Sequence, residues 1–289
     1  MPYKQRKNKF AIKPKLGQHF LYDETTLNKI VDAAEARRSD VILEIGPGTG
    51  SLTQKLAIRC RRVIAVELDR ALCFSLQKKM QPFRSAQVLR ADILKFSIFN
   101  FKYADDYKVV GNIPYYITGK IIRKFTANKK RPKLMVLTVQ KEVAERVCCS
   151  PPKMNILAVS VQVFGAPEIA AYVDRGKFDP PPNVDSAILR IRMFKKSLLA
   201  KELGWFDRRG APKVSPAEMD ETEENFFRIL KIGFSSPRKQ IHNNLKNGLG
   251  LEQGEVNAWL KAAGVKRMAR AQELSVEDWI KLLASKKSV

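Results

Sequence analysis

Five short apolar runs limit what this 289-residue chain can fold into more than any other feature. Each run is short enough to be a strand, and helical patterns follow most of them. The runs are Val41–Ile45, Arg62–Val66, Gln87–Arg90, Tyr107–Val110 and Leu134–Val139. Strands that alternate with helices form βαβ units in a parallel sheet, and such strands are apolar because both faces are buried. The sequence therefore predicts an α/β fold on a mostly parallel sheet.

Two later segments extend the predicted sheet to seven strands. Ile169–Val173 and Ala187–Ile191 flank the proline-rich loop Phe178–Pro182, so we expect them to pair antiparallel at the sheet edge. Asn155–Phe164 is apolar in a way that suits either a buried strand or a helix. Asp23 is the expected N-cap of an early amphipathic helix that runs to about Arg37.

The pattern changes after residue 194, where a turn-rich stretch leads into helical patterns without strand signals. The predicted helices are Glu223–Phe234, Gln240–Leu245, Glu252–Ala262 and Ser275–Leu283. The predicted organisation is a first domain at 1–194 that begins with a basic arm at 1–15, a linker at 195–220 and an all-helical domain at 221–289.

The charge of the chain indicates a polyanionic partner. The chain has 53 Lys and Arg residues against 29 Asp and Glu residues, a net charge of +24, and its isoelectric point is near 10.0. An excess of this size destabilises a compact protein through self-repulsion, which a polyanion offsets. Nucleic acid fits best, because no apolar run approaches the roughly 20 residues that span a bilayer.

Metal and disulfide chemistry find little support in the sequence. The 4 cysteines form no C-x-x-C pair, and only His19 and His242 could supply imidazole ligands, so we expect no metal site. The basic N-terminus has no apolar segment of the secretory kind. We therefore expect a cytoplasmic protein with reduced thiols.

A glycine-rich turn follows the first predicted strand. Gly46, Gly48 and Gly50 would let the backbone approach a ligand closely, and the start of the next helix favours an anionic group. Ser51 stands where the dinucleotide fingerprint G-x-G-x-x-G has its last glycine. With Glu44 just before the turn, the pattern favours a nucleoside ligand without a pyrophosphate; the alternative is a turn that is merely tight.

Acidic residues end the next two predicted strands. Glu67 ends the second strand, near where a carboxylate accepts hydrogen bonds from ribose hydroxyls in such folds. Asp92 ends the third strand, where it could accept a hydrogen bond from the exocyclic amine of adenine. A glycine turn and these two acids at successive strand ends indicate S-adenosylmethionine, which supplies a methyl group without a metal.

The candidate catalytic residues follow the fourth strand. The side-chain carbonyl of Asn112 and the backbone carbonyl of Ile113 could both accept hydrogen bonds from the amine of a target adenine. Pro114 would fix the backbone so that the two oxygens converge, and Tyr115 would stack on the base. Phe178, held by the prolines that follow it, is the expected second face of this base sandwich; an aromatic plug over the sheet edge is the alternative.

In these residues and motifs the chain resembles the KsgA/RsmA family of ribosomal RNA adenine dimethyltransferases. The resemblance implies a Rossmann-like class I methyltransferase core, a helical C-terminal domain, and transfer of four methyl groups to two adjacent adenosines near the 3′ end of small-subunit rRNA. It also implies a monomer acting on small-subunit rRNA within a pre-30S particle. The matching elements are Gly17–Leu21, Glu44–Gly50, Glu67–Asp69, Asp92–Ile93, Asn112–Tyr115, Gln140–Arg146 and the Phe178–Ser186 segment.

The resemblance also assigns cofactor-binding residues by motif position. They are Gln18, His19, Leu21, Gly46, Gly48, Glu67, Leu68, Asp92, Ile93 and Asn112. His19 stands where many relatives have Asn, which suggests a backbone contact or a tolerant polar one. Two alternatives remain open: an Erm-type enzyme, which resembles this core but methylates 23S rRNA of the large subunit, and a related protein that binds RNA or assists transcription without methylating.

Overall fold

The computed structural model describes residues 17–97, 103, 106–207 and 209–286, so the predicted basic arm at 1–15 lies outside the described residues. The chain forms two compact units. The first comprises the described residues up to Ala144 together with Glu168–Ile191, and the second comprises Glu145–Pro167 and the residues from Arg192 onward. The sequence-based division at residue 194 stays a prediction.

The strands form the predicted seven-stranded sheet and one additional short pair. They are β1 Phe20–Leu21, β2 Val41–Ile45, β3 Arg62–Glu67, β4 Ala86–Arg90, β5 Lys108–Asn112, β6 Leu134–Gln140, β7 Gly165–Val173, β8 Phe178–Asp179 and β9 Ser186–Met193. The sheet has the order β4-β3-β2-β5-β6-β9-β7, and the pairings from β4 through β6 are all parallel. The mostly parallel α/β sheet is thus confirmed, with β9 and β7 neighbours at its edge as expected.

Helices follow the strands as the sequence predicts. They are α1 Glu24–Ala33, α2 Ser51–Arg59, α3 Arg70–Met80, α4 Thr118–Thr126, α5 Lys141–Val147, α6 Ile156–Gln162, α7 Leu198–Glu202, α8 Pro216–Gly233, α9 Ile241–Leu249, α10 Gln253–Ala262 and α11 Val276–Ser285. Asp23 caps α1 by accepting the N–H of Thr26. The helix ends before the predicted Arg37 because Glu35, directly after the C-cap Ala34, adopts a positive φ; the Lys108 ammonium binds the carbonyls of Ala34 and Glu35.

The junction of β2 and β5 determines where the first unit can bind a ligand. All five residues of β2 are buried, and its register pairs Ile45 with Gly111 of β5. A Cβ atom on Gly111 would lie 2.8 Å from the Ile45 carbonyl oxygen, so only glycine fits this position. The chain order reverses between β2 and β5, and ligands of open α/β sheets bind beyond the carboxyl ends of the strands at such a point.

The second unit resolves one ambiguity of the sequence and corrects one prediction. The ambiguous segment Asn155–Phe164 contains a helix, α6, which the side chain of Asn155 caps through the Ala158 N–H. The predicted linker 195–220 is partly helical, because it contains α7 and the start of α8. Pro216 at the first helical position and a capping box between Ser215 and Glu218 begin α8 well before the predicted Glu223. Within the described part of the chain, no helix is both long and apolar enough to cross a membrane.

The pairing of β1 with β8 is a feature that the sequence did not predict. Phe20 lies opposite Asp179 and Leu21 opposite Phe178 in an antiparallel register. A pair of two-residue strands carries almost no periodic signal, since strand patterns become readable over about four or more residues. The pairing joins the segment Gly17–Leu21 to the proline-rich loop.

Candidate active site at the carboxyl edge of the sheet

One cleft beyond the carboxyl ends of β2, β3, β4 and β5 contains nearly all the predicted site residues. We call it the active-site cleft. The residues that the predictions assigned to cofactor or target and that line this cleft are Gln18, His19, Leu21, Gly46, Gly48, Glu67, Leu68, Asp92, Ile93, Asn112, Ile113, Pro114 and Tyr115. They come from five separate stretches of the chain, so the fold brings the motifs together as expected.

The glycine turn between β2 and α2 requires glycine at its ends. Gly46, Gly48 and Gly50 all have a positive φ, which side chains other than glycine rarely adopt. A Cβ atom on Gly50 would also lie 2.2 Å from Cδ1 of Leu76. A Cβ atom on Gly48 would lie 3.0 Å from the ring of Phe20, which covers the turn. The turn therefore presents bare backbone to the cleft.

Glu67 is held by two backbone donors at the end of β3. Its Oε2 accepts the Gly48 N–H at 3.1 Å, and its Oε1 accepts the Asp69 N–H at 2.8 Å. Burial raises the pKa of this carboxyl, and the two backbone hydrogen bonds oppose that shift. Each carboxylate oxygen accepts more than one hydrogen bond, so both oxygens keep acceptor capacity for ligand hydroxyls.

Glu44 is a buried acid beneath the glycine turn. It is 1% exposed, it lines the cleft, and its Oε2 has no hydrogen-bond partner among the described residues. Burial raises its pKa to about 8, the side-chain hydroxyl of Thr53 opposes that shift, and the nearby charge of Glu67 adds to it. A buried carboxyl with an unpartnered oxygen favours a ligand that brings a hydrogen-bond donor or a positive charge.

Asp92 and the turn after it form the wall beyond β4. One carboxylate oxygen of Asp92 accepts the Leu94 N–H at 2.9 Å, which shapes the turn. The ammonium of Lys124, from α4, donates to the carbonyls of Leu94 at 3.1 Å and Phe96 at 2.7 Å. Burial lowers the pKa of Lys124, and the charge of Asp92 opposes the shift. Lys124 thus ties α4 to the turn that carries Asp92 and Ile93.

Asn112 is oriented by the segment Gly17–Leu21. Its Nδ2 donates to the backbone carbonyl of His19 at 2.9 Å, so its Oδ1 is the atom left to accept a hydrogen bond from a ligand. Within the described part of the chain, no hydrogen bond occupies the carbonyl of Ile113. Two neighbouring oxygen acceptors are therefore available at the end of β5.

Tyr115 is anchored beside these acceptors. Its hydroxyl shares a 2.6 Å hydrogen bond with the buried hydroxyl of Ser186 at the start of β9, and burial raises the pKa of the tyrosine. The ring of His19 stacks at 6.0 Å between centroids and 22° between planes. Nδ1 of His19 lies 2.8 Å from the Pro180 carbonyl, which can only accept, so Nδ1 carries the hydrogen.

Phe178 is the predicted residue that the structure does not bring to the cleft. Its ring is 5% exposed and belongs to the apolar cluster that includes Leu21 and Leu27. The pairing of β8 with β1 holds it there, because Phe178 lies directly opposite Leu21. The aromatic ring that faces Tyr115 is that of His19, for which the sequence suggested only a cofactor contact.

Sequence reasoning missed Lys124 and Ser186 as supports of the site. Both act on loops that are remote in sequence: Lys124 binds carbonyls about 30 positions earlier, and Ser186 binds a tyrosine 71 positions earlier. A lysine on a helix and a serine before a strand carry no local signal of such contacts. Glu44 did have a signal, since an acid within an otherwise apolar strand must be buried with it.

Comparisons with known proteins agree on one family. The model of the ribosomal RNA adenine dimethylase family matches residues 9–208. A ribosomal RNA small subunit methyltransferase A from Dehalococcoides mccartyi is 37% identical over 265 residues, which cover 91% of this chain and 84% of the relative. The protein of that name from Rippkaea orientalis is 36% identical, covering 92% of this chain and 94% of the relative.

Two crystal structures share the fold over nearly their whole length. The 23S rRNA methyltransferase ErmE has a TM-score of 0.70 and 28% identity, covering 92% of this chain and 98% of that one. A dimethyladenosine transferase from Plasmodium falciparum has a TM-score of 0.73 and 25% identity, covering 93% and 98%. The extent of the family match and the identity to the curated relatives decide the assignment: the chain belongs to the ribosomal RNA adenine dimethylase family.

Proposed function

We propose that this protein dimethylates the N6 amines of two adjacent adenosines in the 3′-terminal hairpin loop of small-subunit (16S) rRNA, with S-adenosylmethionine as methyl donor. The observation that carries the proposal is the pair of open acceptors, Asn112 Oδ1 and the Ile113 carbonyl, beside the anchored ring of Tyr115. The names of the relatives support the small subunit as the source of the RNA.

Three features of the cleft suit S-adenosylmethionine as the methyl donor. Glu67 keeps acceptor capacity for two ribose hydroxyls, Asp92 can accept from the amine of the cofactor adenine, and the glycine turn leaves room for backbone contact. The unpartnered oxygen of buried Glu44 is satisfied by an ammonium or another donor. When bound, S-adenosylmethionine supplies an electrophilic methyl group.

The target amine needs orientation more than it needs a base. The lone pair of an adenine N6 is delocalised into the ring, so the planar amine is a poor nucleophile. Two acceptors that bind its two N–H bonds, Asn112 Oδ1 and the Ile113 carbonyl, favour a tetrahedral nitrogen and aim its lone pair at the cofactor side of the cleft. Tyr115 holds the base by its face. The cationic product loses its proton readily to water.

A basic surface in the second unit supports docking to RNA. The loop before α9 carries Arg238 and Lys239, and the loop before α11 carries Lys266, Arg267 and Arg270, all exposed. A β-bridge between Gln240 and Arg270 and a hydrogen bond from Ile241 N–H to the Ala269 carbonyl join the two loops. Five cations on joined loops favour the phosphate backbone.

Buried polar residues hold this surface together. His242 is 6% exposed, and its Nδ1 lies 3.0 Å from the carbonyl of Arg267. Asn244 donates to the carbonyls of Gly233 and Ser236. We infer that these side chains shape the loops while Arg and Lys side chains contact a pre-30S particle, on which the protein acts as a cytoplasmic monomer.

The test compares two substrates in one assay. Purified protein and labelled S-adenosylmethionine are incubated with undermethylated small subunits or with protein-free large-subunit rRNA. We expect dimethyladenosine in the small-subunit rRNA alone, with its formation slowed about 10²- to 10³-fold in the Asn112→Ala variant. Equal methylation of large-subunit rRNA would instead support the activity named for ErmE, which shares the fold. Loss of methylation on both substrates would support a protein that binds RNA without modifying it.

A further inference from the structure

Tyr116 is a large aromatic residue that the proposed chemistry leaves unused. It follows Tyr115 directly, lines the mouth of the active-site cleft and is 61% exposed. A Cβ atom on Gly17 would lie 3.4 Å from both Cδ1 and Cε1 of Tyr116, so this side of the ring packs on the segment that crosses the cleft. The remainder of the ring faces solvent.

Three further exposed positions continue from Tyr116 along α4. The short 3-10 helix Tyr115–Ile117 leads straight into α4, and Gly119, Lys120 and Arg123 follow Tyr116 at helical spacing. A Cβ atom on Gly119 would meet no atom within 4 Å, so the face is open. Within the described residues, neither Lys120 nor Arg123 belongs to an ion pair. We call these four residues the Tyr116 face.

The Tyr116 face combines the two features that bind single-stranded nucleic acid. Exposed aromatic rings stack on bases of any sequence, and neighbouring cations contact the backbone. Two aromatic side chains at consecutive positions of a 3-10 helix point about 120° apart. A base that stacks on Tyr115 and its neighbour that stacks on Tyr116 therefore cannot stack on each other.

We propose that the Tyr116 face binds the nucleotide next to the target adenosine, with its base stacked on Tyr116 and nearby phosphates at Lys120 and Arg123. The inference rests on the proposed function, because it takes the target base to lie at Asn112–Tyr115. Moving a base out of a loop breaks its stacking with the neighbour. Tyr116 gives that neighbour a new stacking surface and so stabilises the extruded state.

The test separates stacking from packing by replacing Tyr116 in two ways. Tyr116→Phe keeps the ring, whereas Tyr116→Leu keeps an apolar contact with Gly17 and removes the ring. Phe74→Ala is the matched control, because Phe74 is 59% exposed on α3 and does not line the cleft. The measurements are KM and kcat on undermethylated small subunits and the Kd for S-adenosylmethionine by calorimetry.

We expect Tyr116→Leu to raise KM by about 5- to 150-fold, the range for loss of one base–aromatic stack. Tyr116→Phe and Phe74→Ala should stay within about twofold of the natural protein, and the Kd for S-adenosylmethionine should not change in any of the three. Wild-type kinetics in Tyr116→Leu would overturn the inference. So would a matching loss of cofactor affinity, because it would mean that the ring only packs the segment Gly17–Leu21.

Binding to RNA tests the face even if the protein methylates nothing. A fluorescent single-stranded RNA is titrated at several salt concentrations against the natural protein, Tyr116→Leu, Lys120→Ala and Arg123→Ala. Each cation that contacts a phosphate should lower the slope of log affinity against log salt by about 0.7. An unchanged slope in both the lysine and the arginine variant would contradict the proposed phosphate contacts. Unchanged RNA affinity in Tyr116→Leu would contradict the proposed stacking on Tyr116.

Discussion

The two walls of the active-site cleft are built in opposite ways. The wall that we propose for the cofactor, called the cofactor wall, consists of the glycine turn, Glu67 and Asp92, each placed by the strand that precedes it. The target wall consists of Asn112–Tyr116, which follows β5 but depends on partners remote in the chain. Asn112 binds the carbonyl of His19, 93 positions earlier, and Tyr115 binds Ser186, 71 positions later.

This difference between the walls matches two different tasks: binding the cofactor and aligning the target amine. A strand end places a carboxylate well enough to bind ribose or adenine, since each oxygen accepts over a broad range of directions. Aligning one amine for methyl transfer needs closer tolerances, because misplacement by about 1 Å can cost roughly a hundredfold in rate. The long-range hydrogen bonds on Asn112 and Tyr115 supply that restraint. Of the four variants below, Asn112→Ala tests the target wall, Glu67→Gln and Lys124→Met test the cofactor wall, and Glu44→Gln tests the buried acid beneath the glycine turn.

Asn112→Ala, on the target wall, should have the largest effect of the four variants, and it should act on kcat. Removing one of the two acceptors for the amine should lower kcat by about 10²- to 10³-fold, as for loss of one preorganised polar contact in other enzymes. Thermal unfolding should change little, because within the described part of the chain the side-chain amide binds the His19 carbonyl alone. Full activity in single-turnover assays would contradict the role assigned to Asn112.

Glu44→Gln should change the pH dependence of stability. The pKa of Glu44 is raised from an ordinary value of 4.5 to about 8, so the folded protein holds a proton that the unfolded chain releases. The natural protein should therefore lose stability as pH rises between these two pKa values. The total loss should be a few kcal/mol, since a tenfold difference in proton affinity between the folded and unfolded states corresponds to about 1.4 kcal/mol.

Glutamine does not ionise, so the Glu44→Gln protein should lack this loss of stability with rising pH. Urea unfolding of both proteins at several pH values between the two pKa values of Glu44 measures the difference, which should grow with pH in favour of Glu44→Gln. A difference that stays constant over this range would show that the carboxyl is already ionised in the folded protein.

Glu67→Gln should act on the cofactor wall alone. Both carboxylate oxygens accept backbone N–H groups, so the amide nitrogen of Gln would oppose either Gly48 or Asp69. That clash lowers the stability of the free and the cofactor-bound protein alike. The cofactor also loses a charged acceptor for a ribose hydroxyl, worth about 1.5–3 kcal/mol, which corresponds to a loss of S-adenosylmethionine affinity of about 10- to 150-fold. Calorimetry measures this Kd, with Glu24→Gln on the exposed end of α1 as control. A matching loss of RNA affinity would show that the walls are not separable.

Lys124→Met should have the smallest effect of the four. It should weaken cofactor binding through the turn that carries Asp92. The ammonium binds the carbonyls of Leu94 and Phe96 across from α4, so its removal should loosen the Asp92 turn. We expect the Kd for S-adenosylmethionine to rise by about 3- to 10-fold, as for loss of one charged hydrogen-bond donor at a partly exposed site. Lys120→Met, on the exposed side of the same helix, is the control and should leave the cofactor Kd unchanged.

Local sequence pattern was sufficient to predict the sheet and to predict that the glycine turn, Glu67 and Asp92 line one cleft. Short apolar runs such as Val41–Ile45 have one stable environment, a strand covered on both faces, and the residues at their carboxyl ends then meet at one edge. Helix limits were less predictable: α8 begins at Pro216, inside the predicted linker, because its capping box adds a first turn before the apolar face starts.

The sequence by itself thus determined the α/β fold, the family and the predicted site residues that line the cleft, with Phe178 as the exception. Tertiary structure alone decided which ring faces Tyr115 and which atom of Asn112 is free. Pairing of β1 with β8 buries Phe178 and carries the carbonyl of His19 to the Asn112 amide. Such contacts join residues with no fixed spacing and no periodic pattern, so only the folded chain brings them within hydrogen-bonding distance.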